Sequence, residues 1–573
     1  MTTTVSGYIL TRLKQAGLGH IFAVPGDYAG PFLETLDQTP GIERVPNMNE
    51  LGCGYAADGY ARYKGIGAAC VQYGVGGFSV LNCTAGSYVE RLPVVVISAS
   101  PGTKSRVLEE TEKILFHHST GDLRADQKVF RNVTVASEII RTPEEAPAQI
   151  DKAITAMLTH HRPIYLEVLQ DVWAMSCADP KGTLAPSVPQ SDPHSLAAAL
   201  EATWQRLRRA KLPVIWVGVE IHRYGLQDTL QQLVDASGLP FTTTSLAKTV
   251  LDESQRQFIG TYAGPASPAL TRAVMDASDC ILALGTIITD DYLNIMATSF
   301  GEMIEVNDEE ARVERQYYRQ VTLKDFLEGL VARFKEEKRG PRRYRLPKVE
   351  PEAAPDAKPT DALSYNVFFH EFSRFLKDEK LFESSSLILG ESTSLYVFGN
   401  LFGMPRDSFV AQAAWGSLGH ETGCALGVAL GSGRRPFVVA GDGGFRMVCQ
   451  EMSSLADQKC NAVVFVMSNN AYAIEQAFVN IKAFTPQGEF ASFDLLPQWD
   501  YRALAQAFGA QGYHVETVEE LRAALAALKG VEGVPALVEV VIPQKDLAPQ
   551  LKRLAETPVP QQRKYRQDKG RRR

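Results

Sequence analysis

Short runs of apolar, largely β-branched residues alternate along this chain with longer stretches of helical periodicity. "HIFAVPGD" (20–27), "VVVISAS" (94–100), "PVIWVGV" (213–219), "CILALGT" (280–286) and "AVVFVMSNN" (462–470) each run apolar and then break off in small or polar residues. Runs this short, apolar throughout instead of alternating, read as strands buried on both faces; the helical stretches between them are long enough to connect parallel neighbours. The pattern predicts an α/β fold of doubly wound parallel sheets. It recurs in three blocks, parted by the proline-rich segments "DPKGTLAPSVPQSDP" (179–193) and "GPRRYRLPKVEPEAAPDAKP" (340–359). Three domains are expected, over residues 1–182, 193–339 and 360–548, with 549–573 forming a C-terminal helix end and a basic tail. No short tandem repeat relates the blocks. Ligands of such sheets bind beyond the carboxyl ends of the strands, so chemistry is sought there.

Composition narrows the function. With 45% apolar and 22% charged residues the chain reads as an ordinary globular protein. A formal net charge of −7 repels phosphodiester backbones, so no nucleic-acid partner is expected. The one basic cluster, "RKYRQDKGRRR" (563–573), reads as a solvated tail. The eight cysteines show no CxxC pair and read as reduced thiols. There is no apolar run of about 18 residues and no signal-peptide pattern, which predicts a cytoplasmic protein without a membrane partner.

The third block holds the strongest chemical signal, "RPFVVAGDGGFRMVCQEMSSLADQKCNAVVFVMSNNAYAIE" (435–475). A strand ending at Ala440 runs into Gly441-Asp442-Gly443-Gly444, with a helix expected from near Phe445. Glycines at a strand-to-helix junction let the backbone approach a diphosphate, and the helix N-terminus offers free N–H groups. A carboxylate there conflicts with a phosphate unless a hard divalent cation bridges them, and magnesium suits the position. Twenty-seven residues beyond Asp442, a second strand ends in Asn469-Asn470, about one helix and one strand later.

GDG followed by NN at this separation resembles the signature of the thiamine diphosphate enzymes. The resemblance implies thiamine diphosphate and Mg2+ as cofactors, with Asp442, Asn469 and the Ala471 carbonyl on the metal and Gly443 and Gly444 against the diphosphate. "NELGCGYAADGYAR" (49–62) resembles the helix of the activating glutamate, which would make Glu50 the carboxylic acid that hydrogen-bonds the pyrimidine nitrogen. "AAWGSLGHETGCALG" (413–427) is similar to the segment that bends the cofactor, implying Leu418 as the wedge and the Gly416 carbonyl as acceptor for the amino group. "GESTSLYVFGN" (390–400) stands where the family has a cofactor-contacting loop, implying Thr393 and Ser394 at the diphosphate. The blocks would then be a pyrimidine-binding domain, a middle domain without cofactor, and a diphosphate-binding domain.

The reaction is read from other residues. Asp27 in "FAVPGDYAGPFLETL" (22–36), His117 and His118 in "FHHSTGD" (116–122), and Glu475 five residues beyond Asn470 resemble the proton-handling set of the non-oxidative 2-keto acid decarboxylases, which include the pyruvate, indolepyruvate and phenylpyruvate enzymes. Paired histidines alone carry little weight, since His160-His161 is a second pair that reads as a surface loop. The resemblance implies a 2-keto acid substrate, decarboxylation to an aldehyde, and a homodimer with active sites at the interface, assembled as a homotetramer. Ile474, a cofactor-contacting position, would face the substrate tail, and a broad 2-keto acid range is favoured. The alternatives are an enzyme strict for pyruvate and a carboligase of the acetolactate-synthase type. Gly77-Phe78 departs from the acidic residue of many relatives, and "IKAFTPQGEFASFDLLPQWDY" (481–501) is longer. "VIPQKDLAPQLKRLAE" (541–556) resembles the family's helix over the active site.

Overall fold

A computed structural model describes residues 3–337, 340–350 and 352–557; the basic cluster at 563–573 lies outside them. The first sheet contains β1 (His20–Ala23), β2 (Glu43–Pro46), β3 (Gly67–Gln72), β4 (Val94–Ser100), β5 (Ala136–Ile140) and β6 (Ile164–Leu169) in the order 2-1-3-4-6-5, every pair parallel. Every residue of β3, β4 and β6 is buried, the polar Gln72, Ser98, Ser100 and Glu167 included, as strands with helices over both faces must be. Two of the helices carry the site: α1 (Glu50–Lys64) and α2 (Val75–Val89).

The second sheet is built from β7 (Pro213–Val217), β8 (Phe241–Thr244), β9 (Phe258–Tyr262), β10 (Cys280–Leu284), β11 (Ile304–Asn307), β12 (Glu310–Val313) and β13 (Gln316–Arg319). Its order is 9-8-7-10-11-12-13, with the last two strands antiparallel. The parallel part has the strand order of a nucleotide-type half-fold.

The third sheet contains β14 (Ser385–Leu389), β15 (Phe409–Ala411), β16 (Arg435–Gly441), β17 (Val463–Ser468), β18 (Gln511–Val515) and β19 (Ala536–Val541), all parallel, in the order 15-14-16-17-19-18. Counted from its own first strand, this is the order of the first sheet. Around it lie α3 (His420–Ser432), α4 (Asp442–Met447), α5 (Ala473–Asn480) and α6 (Pro549–Glu556). Among the described residues no helix is long and apolar enough to cross a membrane.

Helices α1 and α3 join the first and third domains along their lengths. Small residues make this possible: a Cβ added to Gly427 would stand 1.8 Å from the Ala56 carbonyl oxygen, and one at Gly59 2.5 Å from that of Cys424. A buried polar network crosses the same contact. Arg62 binds Asp58 at 2.7 Å and Glu90 at 2.6 Å, His420 Nε2 meets Asp58 Oδ1 at 2.8 Å, and Glu90 Oε1 accepts the Ala414 N–H at 2.9 Å. Burial opposes ionisation of Asp58, but the Arg62 and His420 charges outweigh it and hold the carboxyl well below its ordinary range.

One expectation is corrected. His160-His161 is not a surface loop: His160 ends the helix Ala146–His160, and His161 caps it at φ 49° with its ring edge-on to Tyr224, centroids 4.8 Å apart. Burial, aided by Arg223, pushes the His161 imidazole down to about 4. Buried Ile150, Ala153, Ile154 and Met157 carry the apolar face of this helix to within one turn of the pair, which keeps the backbone helical up to His160.

Candidate active site

At the carboxyl ends of β14, β16 and β17 lies a cleft lined by Thr393, Leu418, Asp442, Gly443, Gly444, Asn469, Ala471 and Ile474, together with Tyr365, Glu391, Ser392 and Tyr472. Helix α4 starts at Asp442, three residues earlier than the sequence pattern suggested, so Gly443 and Gly444 sit inside the first turn with their N–H groups free of helical partners. Asp442 is 1% exposed. Its Oδ1 accepts the Gly443 N–H at 2.9 Å and its Oδ2 the Asn470 N–H at 2.7 Å. Burial pushes this carboxyl up to about 6. Asn469 is buried and its Oδ1 accepts the Ala471 N–H at 3.2 Å, with Asn470 at φ 56° turning the chain between them.

A buried carboxylate whose hydrogen-bond partners are all neutral N–H groups, with Arg446 acting on it only through space, has no paired counter-charge. A hard divalent cation supplies one, and the carboxylate, amide and carbonyl oxygens of Asp442, Asn469 and Ala471 are the ligand types magnesium takes. The residues present therefore fit a metal-bridged diphosphate.

The long 481–501 segment braces this loop. Tyr472 N–H donates to the Asp494 carbonyl at 2.8 Å, Leu496 N–H to that of Asn470 at 2.9 Å, and Ala471 bridges Leu495. Helix α6 packs against α5, which carries Ile474 and the exposed Glu475 in its first turn.

The remaining candidates gather elsewhere, at the carboxyl ends of β1 and β3. Glu50 is half-buried at the start of α1, which Asn49 caps by accepting the Gly52 N–H at 2.7 Å, and its Cγ faces Gly76 on α2. Asp27 is exposed and its Oδ1 accepts from Gln72 Nε2 at 2.6 Å. The Tyr73 hydroxyl donates to the His117 carbonyl at 2.5 Å. The rings of His117 and His118 are exposed, 6.3 Å apart and tilted by 56°, and His118 stands edge-on to Tyr73. Neither ring bonds Asp27 or Glu475. None of Asp27, Glu50, His117 and His118 lines the cleft of the third domain. One chain thus carries two half-sites, each at the strand ends of one of the two equivalent sheets.

Two of the positions to which the resemblance gives cofactor roles, Ser394 and Gly416, do not line this cleft. Ser394 is fully buried and its hydroxyl donates to the Val439 carbonyl at 3.1 Å, away from the cleft; Ser392, which caps that turn by accepting the Ser394 N–H at 3.2 Å, lines the cleft instead. The capping pattern of a serine two residues before a buried one was the available signal. Gly416, at φ 68°, does not line the cleft and lies against Glu391. Burial, helped by Asp291 and Glu90, pushes the Glu391 carboxyl up to about 8. Tyr365 reaches the cleft from a distant helix start, with no local signal in the sequence.

Comparison with known proteins is consistent along the chain. Residues 3–127 match the thiamine pyrophosphate enzyme N-terminal TPP binding domain, 200–330 the central domain and 393–540 the C-terminal TPP binding domain. Pyruvate decarboxylase 2 of Oryza sativa subsp. indica is 31% identical over 565 residues, 95% of this chain and 89% of that one. The alpha-keto-acid decarboxylase of Mycobacterium leprae is 29% identical over 556 residues, covering 95% and 94%, and the pyruvate decarboxylase of Aspergillus fumigatus 29% over 577, covering 96% of each. With its three domains matched in order and relatives aligned almost end to end, this chain belongs to the thiamine diphosphate-dependent 2-keto acid decarboxylase family.

Proposed function

We propose that this protein is a homo-oligomeric, magnesium-dependent decarboxylase that releases carbon dioxide and an aldehyde from 2-keto acids of more than one chain type. The observation that carries the reading is Asp442, buried with N–H partners alone beside Asn469 and the glycines of α4. Asp442, Asn469 and the Ala471 carbonyl would hold the metal, Gly443 and Gly444 the diphosphate with Ser392 and Thr393 nearby, and Leu418 would keep the cofactor bent. Bound there, thiamine diphosphate supplies the carbon nucleophile and the electron sink that a 2-keto acid needs to lose carbon dioxide.

The chain's own groups handle protons. Glu50 would donate to the pyrimidine nitrogen, which requires a carboxylic acid desolvated by its neighbours. Asp27, His117 and His118 would deliver the proton that replaces the departing carboxylate and take one back from the product hydroxyl, a task suited to imidazole, whose two ring nitrogens can donate and accept. Glu475 would face the substrate carboxylate, where like-charge repulsion favours loss of that charge as carbon dioxide. Because the candidates of the first domain line no common cleft with those of the third in one chain, they would meet those of a second copy, giving a dimer with its sites at the interface and, by pairing of dimers, a tetramer. Ile474 limits the substrate tail without excluding a branched or aromatic one. The eight free thiols support a reducing compartment such as the cytoplasm.

A carbon dioxide release assay with thiamine diphosphate and magnesium, run over pyruvate, branched-chain, phenylpyruvate and indolepyruvate substrates, tests the reading. Release from at least two of these, with aldehyde as product, is expected. Release from pyruvate alone overturns the broad range, and acyloin as the main product overturns the reaction class.

A further inference from the structure

Glu539 stands in the middle of β19, an otherwise apolar strand, and is 3% exposed. A carboxyl is costly in such a place unless its oxygens find partners. The partners it finds lead to the proposed cation loop. The register of β19 against β18 sets Glu539 beside His514, whose Nδ1 meets Glu539 Oε2 at 2.7 Å. The other oxygen, Oε1, accepts from Ser468 Oγ at 2.9 Å and from Gln498 Nε2 at 3.2 Å. Gln498 Oε1 in turn accepts from Asn470 Nδ2 at 2.5 Å.

Ser468 and Asn470 are the two chain neighbours of Asn469, the proposed amide ligand. One carboxyl thus holds the backbone on both sides of that ligand, directly at Ser468 and through one glutamine amide at Asn470. Asn470 is also where the chain turns at φ 56° and where its N–H reaches Asp442 Oδ2 at 2.7 Å, so the brace bears on Asp442 as well. The 481–501 segment, to which Gln498 belongs, takes no part in the chemistry proposed above. It closes over the same loop from outside, with Ala471 bridging Leu495. The spacing of the proposed ligands matters for the choice of ion. Magnesium demands octahedral oxygens at about 2.0–2.1 Å, whereas calcium accepts irregular ones at about 2.3–2.6 Å, so a loosened loop loses the first geometry sooner than the second.

We propose that Glu539 and Gln498 are positioning residues of the cation loop, holding Asn469 and Ala471 at the spacing that magnesium requires and calcium does not. The inference rests on the cation site proposed above. Neither side chain lines the cleft, so each acts on the geometry of the ligands and not on their number. Glu539→Ala removes the hub of the brace, while Gln498→Ala, at an exposed position, removes only its arm to Asn470.

The test titrates magnesium chloride, and separately calcium chloride, into the cofactor-free full-length protein at a fixed concentration of thiamine diphosphate and follows cofactor binding by intrinsic fluorescence. The ratio of magnesium to calcium affinity should fall about tenfold from wild type to Glu539→Ala, the order of one hydrogen bond to a charged acceptor. Gln498→Ala should lower the ratio in the same direction and by less. Thermal denaturation of the cofactor-free proteins checks that each variant is folded, and if Glu539→Ala is not, Gln498→Ala decides. Equal losses for both cations, which a general loosening of the domain would give, overturn the proposal. An unchanged ratio in the folded variants overturns it too. Absence of cation-dependent binding by wild type would instead overturn the cation site itself.

Discussion

Glu50 enters its half-site in the first turn of α1, where the helix dipole alone would favour a carboxylate. Its proposed task requires the opposite, an acid that keeps its proton against a ring nitrogen, so Glu50→Gln should lower turnover about a thousandfold while calorimetry finds thiamine diphosphate still bound. Retained turnover would remove the activation role. Asp442→Ala should do the reverse: the same assay should detect no magnesium-dependent cofactor binding, because the buried cradle loses its only anionic ligand. His161 gives a prediction about stability. Its folded-state value of about 4 lies below the ordinary histidine value, so the unfolded chain binds the proton more readily and stability falls as pH drops from about 6.5 toward 4. Melting temperatures of His161→Gln should fall less than those of wild type across that window. At this scale the sequence was most legible where chemistry is local. Asp442, Gly443, Gly444 and Asn469 share one strand-helix-strand unit, and the structure gathers them. Ser392 was not legible, because its place depends on which of several neighbouring polar side chains turns inward.

The elements follow their patterns more closely than the side chains do. β3, β4, β6 and β17 are buried at every position, the polar Gln72, Ser98, Ser100, Glu167 and Ser468 among them included, as parallel sheets covered on both faces require. Boundaries were less legible: α4 begins at Asp442 because three glycines leave the start of a helix unmarked by any apolar periodicity. The contact of α1 with α3 was hidden as well, since glycine and alanine carry almost no periodic signal. It gives a prediction whose sign is informative. In an exposed helix Gly→Ala stabilises by about 1 kcal/mol, but Gly427→Ala would place a methyl 1.8 Å from the Ala56 carbonyl oxygen and should destabilise by about 2 kcal/mol, read as a lower denaturation midpoint. A gain would show that the two helices can separate freely.

Across the whole molecule, the first and third sheets share one strand order although no repeat relates their sequences, a likeness that resides in backbone topology and leaves residue identities free. Each sheet ends in one half-site, and the two halves complement each other only between copies in the proposed dimer. Mixing two inactive variants should therefore restore activity: Glu50→Gln, damaged in the first half-site, and Asp442→Ala, damaged in the third domain, would form mixed dimers with one intact site and one doubly damaged one. Co-refolding equal amounts should bring turnover to about a quarter of wild type. Persistent inactivity of the mixture, with sedimentation showing mixed dimers, would mean that each chain completes its own site.

The glycine-packed pair of helices adds a constraint on that assembly. Helix α1 begins at Glu50 and α3 just after Leu418, and the two are locked side by side, so a single inflexible strut fixes where the two half-sites of one chain stand relative to each other. Two copies related by a twofold axis then meet either at the one spacing that closes both sites or at a spacing that closes neither. The strut serves as a gauge, and a chain whose two ends are out of gauge leaves both catalytic centres of its pair open.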